Sequence, residues 1–302
     1  MDTTSPAEKG LDNRVKSRLN QEKVLCLLHR FGWLPVRQVH KAGWPNEATP
    51  RNAQRYLAQL LTLKQVIYKE GADGSRVYAL TSQGARRLRT EVGIQATHDS
   101  DFLRRPVPTY HHRCLANDVA IWWGRTHGAS ANFFSEHEIV TGRAPISSAP
   151  KYLSDPLGKI PDALLTLDRP ITETNPYDLW LAWVEVEYSD KPSPAHRHMV
   201  RALCDILGFG RQVLEVGSGG VVKLAVVVCP RVEHEYKLAG GVLHFLSENV
   251  TNYNVVDIVD RISIWRPGTE DFLTLRQWID EQPAFLALRD KLRLWWSAAA
   301  EE

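Results

Sequence analysis

Residues 221–230 read VVKLAVVVCP, an almost unbroken apolar run interrupted by one lysine. It is far shorter than the roughly 18 residues that span a bilayer. Its β-branched residues suit a strand, and a strand apolar at successive positions is buried on both faces. Such a strand belongs inside a layered α/β unit rather than at a solvated sheet edge. The chain around it has to supply the covering helices and the neighbouring strands.

It does so in a readable order. HHRCLANDVAIWWGRT, from 111, has helical spacing with Leu115, Val119, Trp122 and Trp123 as its apolar side. NFFSEHEIV then alternates as a strand, with Glu136 and Glu138 sharing a face. KIPDALLTL and LWLAWVEVEY follow as a second and a third strand, PAHRHMVRALCDILGFGRQVL as a long helix, and VVKLAVVVCP as the fourth strand. The third strand is apolar from 179 to 186 except at Glu185, and Glu187 follows two residues later. That spacing turns both carboxylates to one face, roughly 7 Å apart. Like charges so placed repel unless a cation lies between them. Ordinary surface acids at a strand end are the plain alternative, but acids within an apolar strand carry a burial cost that a functional site would explain.

An aspartate opening the second strand (Pro161-Asp162) and Glu185-Val186-Glu187 in the third resemble the restriction-endonuclease-like core, the PD-(D/E)xK group. The wider layout, with HHRCLAND, PDALLTL and WVEVEYSDK, is similar to the plasmid replication-relaxation family and to mobilisation relaxases built on a nuclease-like core. The resemblance spans roughly residues 20–230, through short motifs. It implies a Mg²⁺ ion, with Mn²⁺ as the alternative, held by Asp162, Glu185 and Glu187 and activating water against a DNA phosphodiester. The pattern usually has lysine where Glu187 stands, which makes Lys191 the candidate catalytic cation. His112 and Asn117 match a His-x-x-x-x-Asn pattern associated with the family's first helix and, with Glu138, are accessory candidates. A helical histidine more often packs, and Glu136 and Glu138 more often face solvent.

The first third reads differently. NQEKVLCLLHRF places Val24, Leu27, Leu28 and Phe31 at helical spacing behind Asn20 as a cap, and Gly32 ends the helix. A short second helix follows Pro35, and a third runs through TPRNAQRYLAQLLTLKQV with Thr49 as its cap. VIYKEG and RVYAL pair through the turn at Asp73-Gly74, and TSQGARRLRTEV closes as a helix. Three helices, a hairpin and a helix is the winged helix-turn-helix order, in which the third helix enters the major groove. Arg51, Asn52 and Arg55 stand at its start, and the hairpin adds Lys69 and Arg76. Arg86, Arg87 and Arg89 extend the basic surface.

Charge follows the same division. Residues 1–113 hold 19 Lys and Arg against 10 Asp and Glu, and residues 114–302 hold 18 against 25. A basic first third suits a polyanion. The four cysteines, at 26, 114, 204 and 229, form no C-x-x-C pair, which argues against a zinc ribbon and fits a reducing cytoplasm.

The expected fold is therefore α+β. A disordered tail over 1–19 precedes a winged helix over 20–93 and a linker over 94–110. An α/β restriction-endonuclease-like domain with a C-terminal extension occupies 111–302. The expected partner is double-stranded DNA, with replication, mobilisation or transposition proteins beside it and no membrane. The expected activity is metal-dependent DNA nicking by a relaxase or endonuclease of a mobile element. The alternative is a non-catalytic winged-helix regulator of replication or transcription with a degenerate core.

Overall fold

The computed structural model is a mixed α+β protein and describes residues 12–104, 109–127, 132–144, 160–168, 179–188, 193–208, 220–249, 254–269 and 271–285. The chain divides into two compact units, Met1–Thr126 and His127–Glu302. Lys191 and the end of the expected C-terminal extension, beyond residue 285, fall outside the described residues.

In the first unit, α1 (Asn13–Phe31), α2 (Val36–Gly43) and α3 (Arg51–Thr62) pack through Val24, Leu25, Leu28, Val39, Leu57 and Leu60, all at most 1% exposed. Strands β1 (Trp33–Pro35), β2 (Val66–Glu70) and β3 (Arg76–Leu80) form an antiparallel sheet in the order β1-β3-β2. Helix α4 (Ser82–Arg87) is capped by Thr81, whose hydroxyl accepts from the Gly84 N–H, and runs on through a wider π-type turn over Leu88–Val92.

Four expectations are corrected here. Helix α1 starts at Asn13, not Asn20: the Asp12 carboxylate accepts from the Arg14 N–H as the cap, so 13–19 are helical rather than tail. Asn20 sits inside the helix and donates to the Tyr56 hydroxyl. At α3 the cap position is Pro50, without a side-chain bond, in place of Thr49. The stretch 94–104 does not behave as a free linker, because Ala96 and Phe102 are buried and Phe102 packs with Trp33, Val77 and Ala79. Two apolar residues in a polar run suffice to hold it down.

Helix α5 (Tyr110–Thr126) belongs to the first unit, so the division falls after Thr126 rather than within 94–110. Its polar face explains why. Gln38, fully buried on α2, donates to the Cys114 carbonyl at 2.7 Å and to Asp118 at 3.1 Å. Arg37 donates through one nitrogen, Nη1, to both carboxylate oxygens of Asp118, at 3.0 and 2.8 Å. Burial of Arg37 works against its charge, but Asp118 outweighs that and raises its pKa. The Tyr110 hydroxyl donates to Asp73 at the β2–β3 tip and lies 2.8 Å from the Ser75 hydroxyl. Gly71 permits that approach, since a Cβ there would sit 2.6 Å from the Tyr110 ring.

In the second unit a six-stranded sheet runs β4 (Phe133–Ser135), β5 (Ala163–Thr166), β6 (Leu179–Val186), β7 (Gly220–Val228), β8 (Ile262–Trp265), β9 (Leu273–Thr274). The first three strands are antiparallel, β6, β7 and β8 are parallel, and β9 returns antiparallel. Helices α7 (Ser193–Gly208) and α8 (Val232–Glu248) make the parallel crossovers. With α9 (Val255–Asp260) and α10 (Leu275–Glu281), they form one core with Leu164, Trp183, Ala225 and Val227 of the sheet. The opposite alternation, Val184, Val186, Val226 and Val228, is also fully buried, as the apolar run of β7 required.

The first strand of this unit is shorter than expected. It stops at Ser135, and α6 (Glu136–Val140) follows. Ser135 and Glu138 form a reciprocal capping box, with the Ser135 N–H donating to Glu138 at 2.9 Å and the Glu138 N–H to Ser135 Oγ at 3.2 Å. Glu138 therefore caps a helix instead of facing a strand neighbour.

Candidate nucleic-acid interface and carboxylate cluster

Helix α3 contains no acidic residue. Ala53, Tyr56, Leu57 and Leu60 take its inner face, which leaves Arg51, Gln54, Arg55, Ala58 and Thr62 exposed at helical spacing. This outward stripe carries two guanidiniums and one amide. The five candidate DNA contacts are not equivalent, however. Arg51 stands in solvent at the first position of α3. Arg55 is exposed, with its guanidinium 4.5 Å from the Tyr56 ring centroid. Asn52 is partly buried, and its amide donates to Glu47 at 2.5 Å, inside the turn that leads into α3.

On the hairpin, Arg76 is exposed and lies over the Tyr68 ring at 4.6 Å. Lys69 faces the opposite side of the sheet. Its ammonium donates to the Phe102 carbonyl at 2.5 Å and lies 4.3 Å from that ring, and burial lowers its pKa. Of the arginines that were expected to extend the basic surface, Arg86 and Arg89 are exposed, but Arg87 is 9% exposed. It binds Gln21, Gln65 and Glu91, which ties α1 to α4.

In the second unit Ala163 pairs with Val184, so the next position of the register sets Asp162 opposite Glu185. Asp162 spends one carboxylate oxygen on the Val186 N–H at 2.8 Å, while its own N–H donates to the Val184 carbonyl. Glu185 and Glu187 are both 0% exposed. Glu185 Oε1 accepts the Trp183 indole N–H at 2.7 Å, and Glu187 Oε2 lies 3.9 Å from His196 Nδ1. His196 Nε2 is 3.1 Å from the Lys237 carbonyl, which only accepts, so Nε2 carries the proton. Gly241 leaves room for that ring, because a Cβ there would stand 2.6 Å from Nε2.

Magnesium takes carboxylate oxygens while keeping several waters and a path to phosphate. These acids do not fit that requirement as placed. Among the described residues no group of three or more His, Cys, Asp or Glu is arranged to hold a metal. Asp162 is turned to backbone, and the two glutamates are sealed from water. Of the accessory candidates, Asn117 is 3% exposed, and its amide is 3.4 Å from Gln38 Oε1. His112 is partly buried on α5.

A third buried acid was absent from the sequence reading. Glu235 on α8, 1% exposed, takes a two-pronged contact from Arg266 at 2.5 and 2.6 Å and the Trp278 indole N–H at 2.8 Å. That hydrogen bonding raises the Arg266 pKa. Its readable signal was position: Glu235 heads an apolar stripe through Leu238, Ala239, Val242 and Leu246. No described helix is long and apolar enough to cross a membrane. No family model, no curated protein and no solved structure matches this chain.

Proposed function

We propose that the first unit is a winged-helix module that binds double-stranded DNA, with α3 in the major groove. We further propose that the protein acts as a non-catalytic DNA-binding regulator of replication or transcription, because Glu185 and Glu187 are buried and Asp162 is hydrogen-bonded to backbone. The observation that carries this reading is the outward stripe of α3, where Arg51, Gln54 and Arg55 stand exposed on a helix without acids. The charge of the unit supports it: residues 1–126 hold 20 Lys and Arg against 11 Asp and Glu, while 127–302 hold 17 against 24. Neutralising phosphates makes binding fall steeply with salt. Anisotropy titrations of full-length protein against labelled duplex DNA at two salt concentrations test the proposal. Binding should weaken with salt and collapse in the Arg51→Ala, Arg55→Ala double variant. A variant that binds like wild type removes α3 from the interface.

Metal-dependent nicking is the second reading, and it draws on the register that sets Asp162 opposite Glu185. It would require Glu185 and Glu187 to leave their buried positions. Supercoiled plasmid carrying the bound sequence, incubated with Mg²⁺ or Mn²⁺, separates the two readings. The regulator leaves it supercoiled, whereas nicking abolished by Asp162→Ala would restore the nuclease.

A further inference from the structure

A column of stacked side chains runs through the first unit and ends at the outward stripe of α3. Lys23 Nζ lies 5.3 Å from the Trp44 ring centroid, Trp44 stacks on Tyr56 at 5.6 Å with planes 11° apart, and Arg55 lies over Tyr56. The Tyr56 hydroxyl is the hub. It accepts from Arg55 Nη2 at 2.5 Å and from Asn20 Nδ2 at 3.1 Å. Tyr56 is 3% exposed and Trp44 9%, so the platform belongs to the core, while Arg55, which it holds, is exposed.

Arginine at an exposed helix position ordinarily samples many rotamers, and ordering it on a ligand costs entropy. A phosphate contact needs only charge within reach, whereas a base contact needs a guanidinium plane of defined direction. Arg55 has that direction set before any ligand arrives. The bond to Tyr56 uses one of its five N–H groups, leaving enough donors for a two-pronged contact. Arg51, on the same stripe, makes no comparable ring contact or side-chain hydrogen bond among the described residues.

We propose that Tyr56 is a positioning residue for Arg55, and that Arg55 so held reads guanine in the major groove through O6 and N7. Arg51 is the phosphate contact. This inference rests on the DNA-binding reading above.

The test selects duplexes from a randomised pool with the full-length protein. It then compares affinity for an enriched duplex and for a shuffled duplex of equal composition. The enriched sequence should contain an invariant guanine whose replacement by 7-deazaguanine weakens wild-type binding. Arg55→Lys keeps the charge without the planar fork and should reduce discrimination by about tenfold to a hundredfold. Tyr56→Phe keeps the ring and the stack, so its thermal midpoint should stay near that of wild type while discrimination falls severalfold. Asn20 is only partly buried, and water can replace its lost partner. Undiminished discrimination in both variants overturns the inference, as does a pool that yields no preferred sequence although duplexes bind. Failure to bind any duplex at low salt removes the DNA-binding reading beneath it as well.

Discussion

Helix α3 of the first unit and the β6–α8 region of the second treat charge in opposite ways. On α3, Arg51 and Arg55 stand in solvent, and the apolar residues beneath them carry the packing. On β6, just past its end and on α8, Glu185, Glu187 and Glu235 point into the protein, and indole, imidazole and guanidinium groups gather around them. An exposed charge costs the fold little and remains available to a partner. A buried charge is tolerated only when its neighbours satisfy it, and those neighbours then occupy the atoms a metal or substrate would need. The difference teaches that acids in an apolar strand are a signal of burial cost. Whether function or a hydrogen-bonded pin offsets that cost depends on what sits opposite.

Removing a pin should have the largest effect. Glu235→Ala leaves the Trp278 indole N–H without its acceptor and Arg266 without its partner. Because Arg266 reaches water at 47% side-chain exposure, the loss should be about 2–3 kcal/mol, below that of a fully enclosed pair. Urea unfolding measures it, and an unchanged midpoint would break the contrast drawn above. Glu185→Ala should cost about 1–3 kcal/mol by stranding the Trp183 N–H, while Glu185→Gln, which keeps an acceptor oxygen, should cost less. If both variants instead retain full stability and abolish Mg²⁺-dependent nicking, Glu185 is a ligand and not a pin.

Arg51→Ala should leave stability within about 0.5 kcal/mol of wild type and reduce the salt slope of DNA binding by about one. A loss of stability comparable to that of Glu235→Ala would show that the exposed stripe is structural after all.

The smallest effect concerns the hairpin tip. Slight burial pushes the Asp73 carboxyl up, but hydrogen bonds from Ser75 and Tyr110 outweigh this and hold it below the usual carboxylate range. A depressed pKa contributes stability above the unfolded value, about 3.9, and that stability is lost as pH falls through the folded value. Asp73→Asn should therefore cost under about 0.5 kcal/mol at pH 7 at this exposed site, and nothing at a pH below both values. Paired urea curves for wild type and variant at neutral and strongly acid pH would expose a difference that fails to shrink.

Sequence reading reached the elements whose pattern is local. The apolar stripe of α3, the hairpin closed by Asp73-Gly74 and the buried strand β7 each announce themselves within a dozen residues. The capping box at Ser135 and Glu138 was equally local, and the strand-like alternation around it masked it. Partners distant in sequence were not legible. Nothing in the chain marks Gln38 for Cys114 and Asp118, Tyr110 for Asp73, or Arg266 and Trp278 for Glu235.

The same holds for the candidate sites. Residue type and helical phase alone determined that Arg51 and Arg55 face outward, because a helix with one apolar side has to present the other to water. Pleat alone determined that Glu185 and Glu187 share a face. Only the tertiary structure decided that this face is covered by helices and that Arg55 is fastened to Tyr56 while Arg51 is not. Orientation along an element follows from backbone geometry within a few residues. What lies across from a side chain depends on how separate elements pack, and that is a property of the whole fold.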